Sequence, residues 1–193
     1  LNHRYANAYY NISGIFIDQG NLYEAEKYLR QAIKLNPKFA IAQYNLGFIL
    51  KDLGRLEEAE LHTLRAIEID PDMTDGYLSL STMPKVKNSN NWESKLFSQE
   101  ILKNKNKKEL ANIFFARSNI LHKERKYRES TKNLIEGNNL KLNMYKSEIN
   151  LLIKKTNKLK NFSDNYQKDY QVLPNDPIFI FIVGLPRCGS TLL

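Results

Sequence analysis

Two stretches of this chain are copies of one another at a fixed offset, and that offset restricts the fold more than any other feature. Residues Ala6 to Pro37 and Ala40 to Pro71 align without a gap. Tyr10-Asn11-Ile12 falls on Tyr44-Asn45-Leu46, Gly20 on Gly54, Glu24-Ala25-Glu26 on Glu58-Ala59-Glu60, and Asn36-Pro37 on Asp70-Pro71. Pro37 and Pro71 stand 34 residues apart. A repeat of that size is one supersecondary unit, which buries its apolar face only by stacking on its neighbours. Each copy reads as a helix, a turn at Gly20 or Gly54, a second helix and a proline stop. Glycine accepts the left-handed backbone that ends a helix, and proline cannot continue one. Ala25, Ala32, Ala59 and Ala66 predict close approach of the second helices, while Tyr9, Ile12, Phe16, Leu46 and Leu50 form apolar stripes at helical spacing and read as core.

The 34-residue period resembles the tetratricopeptide repeat. A third unit starts at Asp72 with Tyr77 and Leu80 in phase, and Pro84 with the polar run from Lys87 to Asn91 interrupts it. The pattern recovers over Leu110 to Leu142, where Phe114, Leu121, Tyr127, Leu134 and Gly137 stand near the expected places. The expectation is an all-α superhelix of four hairpins over residues 1–142, regular at 6–39 and 40–73 and degenerate at 74–142. Stacked hairpins leave a concave face suited to an extended peptide or a neighbouring domain. Asn11 and Asn45 occupy matched places on the first helices, with Ser79 third in line, and are the candidate peptide-binding residues; the competing reading is that they bond locally.

Composition narrows the classes. Of 193 residues, 42% are hydrophobic and 26% charged, enough apolar content for a folded chain. The longest apolar run, Ile178 to Val183, is far too short to span a membrane. A single cysteine, Cys188, excludes an intramolecular disulfide framework and a cysteine-based zinc cluster, and leans toward a reducing, cytoplasmic setting. The net charge of +8 raises the question of a nucleic-acid partner. The lysines at 103, 105, 107, 108, 154, 155, 158 and 160 are interleaved with Asn rather than with Arg and aromatics, so they read as solvated faces and no nucleic acid is expected. His3, His62 and His122 lack metal-ligand spacing and read as helix-surface residues; no metal site is expected. Trp92 reads as an anchor of the irregular third hairpin.

After an expected helical connector at 143–176, lysine-rich and amphipathic from Met144 to Phe162 and polar to Asp176, the composition changes at Pro177. Ile178-Phe179-Ile180-Phe181-Ile182-Val183 is a continuous run of β-formers, as in a buried parallel strand, and Gly184-Leu185-Pro186-Arg187-Cys188-Gly189-Ser190-Thr191 follows it. A strand, a glycine-bearing loop and a helix start gather backbone N–H groups around an anion. The spacing is that of a nucleotide-hydrolysing P-loop except that Ser190 replaces the lysine that would reach the β- and γ-phosphates, which argues against ATP or GTP hydrolysis.

The run from Phe181 to Leu192 resembles the phosphosulfate-binding loop of sulfotransferases, nearest the tyrosylprotein-sulfotransferase-like branch, and residues Phe115 to Leu140 resemble the last repeat of bacterial fusions that carry amino-terminal tetratricopeptide repeats. The resemblance implies that 177–193 begin a truncated α/β sulfotransferase domain using 3′-phosphoadenosine-5′-phosphosulfate (PAPS) as co-substrate, without a metal. It implies that Arg187 stabilises charge on the phosphosulfate and that Cys188, Gly189, Ser190 and Thr191 cradle the 5′-phosphate. Cys188 and Ser190 depart from the usual serine and threonine; the second keeps its hydroxyl and the first weakens one hydrogen bond.

With a leucine at position 1 and a last residue just past the loop, both ends read as cuts, and the general base is expected beyond Leu193. The fragment by itself is expected to be inactive. Its expected partners are a protein or peptide on the concave face and the remainder of the sulfotransferase domain. Two readings stand beside this one: a repeat adaptor without chemistry, and a P-loop nucleotide-binding protein.

Overall fold

The computed structural model describes residues 2–84, 92–144 and Asn157, with side chains from Tyr5 onward. Apart from Asn157, these fall within one compact unit, Leu1–Lys146. Among the described residues, eight α-helices follow in order: α1 (Asn2–Asp18), α2 (Leu22–Leu35), α3 (Ala40–Asp52), α4 (Leu56–Ile69), α5 (Thr74–Thr82), α6 (Trp92–Phe97), α7 (Lys107–Lys123) and α8 (Tyr127–Met144), with a 3-10 turn at Glu100–Leu102.

The turns explain the hairpins. Gly20 and Gly54 have φ of +73° and +77°, the left-handed region where a Cβ is strained. At the first turn Gly20 N–H donates to Ile17 O (2.9 Å) and Asn21 N–H to Phe16 O (2.8 Å), which occupies two carbonyls left over at the end of α1. Gly54 and Arg55 repeat the arrangement on Lys51 and Leu50 at 3.0 and 2.8 Å. The fourth hairpin closes the same way with Arg125 at φ +62° in the glycine place. The stops hold as well: α2 and α4 end one residue before Asn36-Pro37 and Asp70-Pro71.

Helix pairs α1–α2, α3–α4 and α7–α8 form the regular hairpins. Ala25, Ala32, Ala59 and Ala66 are fully buried, so the small residues stand where helices touch. Gly47 shows why: a Cβ there would lie 2.9 Å from Ala59 O and collide with Thr63 Oγ1, so α3 approaches α4 at backbone distance. Ser118 and Ser130 meet between α7 and α8, their hydroxyls 3.1 Å apart. The core runs through the stack, with Leu29, Leu46, Ile49, Leu50, Leu96 and Ile113 at zero exposure. Each such side chain contributes roughly 1.5–3 kcal/mol relative to an exposed one.

The third hairpin departs from the pattern. Displacing α4 by one 34-residue period predicts a second helix over 90–103. The chain instead forms the six-residue α6 and the 3-10 turn. Met83 has ψ 150°, the extended geometry that the residue before Pro84 must take, and this ends α5 after nine residues. With so short a second helix, α5 packs directly against α7. Asn112 Nδ2 donates to Asp75 Oδ1 (2.9 Å), and Asn119 Nδ2 donates to Ser81 Oγ (3.0 Å). Arg117, buried on α7, holds α6 by donating to Leu96 O and Ser98 O, both at 2.8 Å.

Several sequence expectations need correction. Ile12 is 36% exposed, whereas Leu46, its counterpart one period later, is fully buried in the core. No described helix precedes α1 to cover that face. Tyr127 and Leu134 are exposed on α8 for the corresponding reason at the other end. His62 is not a surface residue but is buried, while His122 is exposed with its ring edge-on to Tyr127. Lys105 is not solvated: its side chain is 7% exposed and its Nζ lies 2.7 Å from Asp72 Oδ1. Trp92 is half-buried and packs on Tyr77, with ring centroids 6.3 Å apart. The connector beyond Met144, Asn157 apart, and the expected strand and loop at 177–193 lie outside the described residues, as does the side chain of His3.

Candidate functional site: the face of the first helices

Polar contacts link the first helix of each hairpin to the next. Asn45 Nδ2 on α3 donates to Tyr10 Oη on α1 (3.3 Å), and Lys51 Nζ on α3 donates to Thr82 Oγ1 on α5 (2.8 Å). The asparagine contacts described above carry the series from α5 to α7. These side-chain bonds join first helices whose backbones pack on the second helix of the preceding hairpin, α3 on α2 and α5 on α4, while α5 and α7 pack directly.

Along α3 one face carries Ile41, Tyr44 and Phe48 at helical spacing, with Ile41 37% and Phe48 43% exposed. Their neighbours Asn45 and Lys51 are half-buried, and Asn11 is exposed on α1. Burial, and next the charge of Asp75, raises the Tyr44 phenol above its ordinary value, so it remains a neutral donor. Ser79, in the matching place on α5, is buried with its hydroxyl unpaired, the one such buried side-chain atom among the described residues.

Asn11 and Asn45 thus stand on equivalent turns in different states. Asn11 is open to solvent, while Asn45 has committed one amide hydrogen to Tyr10 and keeps its carbonyl oxygen. Sequence reasoning passed over Ile41, Tyr44, Phe48 and Lys51. The signal was present: α3 is apolar on more sides than two packing neighbours require, and the surplus falls at Ile41 and Phe48. Arg187, Cys188, Gly189, Ser190 and Thr191 lie outside the described residues.

Between α2 and the start of α4, Glu26, Arg30, Arg55 and Glu58 close a ring of ion pairs. Arg30 meets Glu26 at 2.8 Å and Glu58 at 2.9 Å, and Arg55 meets Glu26 at 2.8 Å and Glu58 at 2.6 Å. Hydrogen bonds from Arg55 and then Arg30 hold the Glu58 carboxyl below its ordinary range. This ring clamps α2 to α4; with every carboxylate matched by a guanidinium, its role is structural.

A stack of helical hairpins, two of them turned at glycine, is the architecture of a helical-repeat interaction protein. The match is specific over the two regular units: residues 15–74, from the end of α1 to the start of α5, match the family model of the tetratricopeptide repeat. No curated protein matches the chain. Among the described residues, no helix is long and apolar enough to cross a membrane.

Proposed function

We propose that this chain joins a protein-binding repeat array to the start of a PAPS-dependent sulfotransferase domain, the array recruiting or positioning the acceptor. The observation that carries the reading is the residue run Phe181 to Leu192, where a β-forming segment leads into Gly184-Leu185-Pro186-Arg187-Cys188-Gly189-Ser190-Thr191, downstream of the repeats. In the reaction an acceptor hydroxyl or amine attacks the sulfur of PAPS in line. The bond from sulfur to the bridging phosphate oxygen breaks, and the phosphate leaves with that oxygen. Arg187 is placed by the resemblance to neutralise the leaving phosphate, and Gly189, Ser190 and Thr191 to donate to its oxygens. Asn11 and Asn45 would hold the backbone of an extended acceptor segment, while Phe48 and Ile41 would contact its side chains.

A second reading is favoured by the exposed stripe on α3, which suits a partner whether or not chemistry follows: a repeat adaptor without catalysis. The two are separated by calorimetric titration of 3′-phosphoadenosine-5′-phosphate into the complete natural protein. Binding with a Kd on the order of 1 μM, weakened at least about tenfold by Arg187→Ala, is the expected result. A folded complete protein that does not bind the nucleotide supports the adaptor.

A further inference from the structure

On α3, Ile41, Tyr44, Phe48 and Lys51 recur at intervals of three and four residues and so share one face, and Asp75, Leu78 and Thr82 do the same on α5. The two stripes are joined at both ends. The charge of Asp75 reaches the Tyr44 phenol, and Lys51 Nζ donates to Thr82 Oγ1 at 2.8 Å. Between these ends lie the half-buried Leu78 and the exposed Phe48. An apolar strip therefore runs from an acid to a base, and each of the two charges lacks a counter-charge. The half-buried cations Arg30 and Lys105 are paired with carboxylates, whereas Lys51, also half-buried, meets the Thr82 hydroxyl and no carboxylate among the described residues. Asp75, half-buried as well, accepts from the Asn112 amide at 2.9 Å and has no cation among the described residues.

We propose that this strip binds an extended segment of a partner polypeptide that carries a basic and an acidic side chain about four positions apart with an apolar one midway, the base on Asp75 and the acid on Lys51. The inference rests on the reading of the first helices as the peptide-binding face, and it names what that face selects. The spacing follows from the helix: Asp75 is the counterpart of Ile41 one 34-residue period on, and Lys51 lies ten residues beyond Ile41. At the α-helical rise this separates the two charges by about 15 Å along the helix axes. An extended chain covers that length in roughly four to five residues. Alternate side chains of such a chain face the same way, so a base, an apolar residue and an acid at every second position all meet the strip. A segment with two like charges pairs at one end and is repelled at the other.

The test uses the full 193-residue chain, labelled at Leu and Ile methyl groups and followed by NMR. It is titrated with end-blocked Lys-Ala-Leu-Ala-Glu, Lys-Ala-Leu-Ala-Lys, Glu-Ala-Leu-Ala-Glu and Gln-Ala-Leu-Ala-Gln. The expected result is saturable shifts at Ile41 and Leu78, with the Lys/Glu peptide binding at least about threefold tighter than any other and the difference shrinking in high salt. Lys51→Glu makes both ends of the strip acidic, so the Lys/Lys peptide should become the tightest binder. Lost packing would weaken all four peptides alike and could not produce that exchange of rank. If the neutral peptide binds as tightly as the Lys/Glu one, or a like-charged peptide binds tightest to the parent, the inference falls while the peptide-binding reading of the face stands. An unchanged ranking in Lys51→Glu overturns the inference too. If no peptide shifts Ile41 or Leu78, both fall.

Discussion

Tyr9 and Tyr28 of the first hairpin correspond, one period later, to Gln43 and His62 of the second. The first pair meets through its rings, with centroids 6.1 Å apart. The second meets by a hydrogen bond of 2.7 Å from His62 Nδ1 to Gln43 Oε1, while Gln43 Nε2 reaches back to Pro37 O at 3.4 Å. A ring contact has been exchanged for a buried polar one, and the exchange has a pH consequence. Burial, and then the charges of Arg30 and Arg65, lower the His62 pKa from its ordinary 6.5 to about 4. The unfolded chain therefore binds a proton near pH 6.5 that the folded chain refuses until about pH 4. The stability contributed by neutral His62 is complete above that window and is lost as pH falls through it, with a slope of at most about 1.4 kcal/mol per unit. Urea unfolding of His62→Gln from pH 7 to 4 should show a shallower decline than the parent protein. Parallel curves would mean that His62 does not control this range.

At the scale of elements, α6 is the weak member. Six residues cannot sustain a helix by their own hydrogen bonds. Arg117 compensates: its Nε and Nη2 satisfy the carbonyls of Leu96 and Ser98, and its guanidinium lies 5.8 Å from the Phe97 ring centroid. Burial lowers the Arg117 pKa, yet the group remains charged at any ordinary pH. Arg117→Ala should cost about 1–3 kcal/mol and raise amide exchange in α6 far more than in α3 and α4. Arg117→Lys should rescue little, because a single ammonium cannot serve two carbonyls in fixed directions. Uniform exchange across the array in Arg117→Ala would contradict this account.

The same elements show what the sequence made legible. Gly20, Gly54, Pro37 and Pro71 located the two regular hairpins because local backbone geometry allows those residues one role. Pro84 located the end of α5 in the same way. Periodicity alone could not show that Ile12 lacks a covering neighbour, since it marks a face without saying what packs there. It also hid the buried His62, which only alignment with Tyr28 brings out, and the buried Lys105, whose partner Asp72 lies 33 positions away. The surplus apolar residues of α3 were readable as a candidate site only once their packing neighbours were known.

At the scale of the repeat array, hairpin stacking sets the logic: each hairpin contacts its neighbours, and the first helices present Asn11, Tyr44, Asn45 and Phe48 along successive units, with Ser79 buried in the next. Since Phe48 is 43% exposed, replacing it alters that face without hollowing the core. The proposed division of labour, recruitment by the array and chemistry beyond it, is tested by one assay. The complete protein is incubated with sulfur-labelled PAPS and an extract of its own source, and label transferred to macromolecules is counted for the parent, Arg187→Ala and Phe48→Asp. The account predicts that Arg187→Ala abolishes transfer, and that Phe48→Asp reduces it at least about tenfold, a penalty of about 1.4 kcal/mol, with nucleotide affinity unchanged. Transfer by Phe48→Asp at the parent level, or no transfer by the parent above Arg187→Ala, would contradict it.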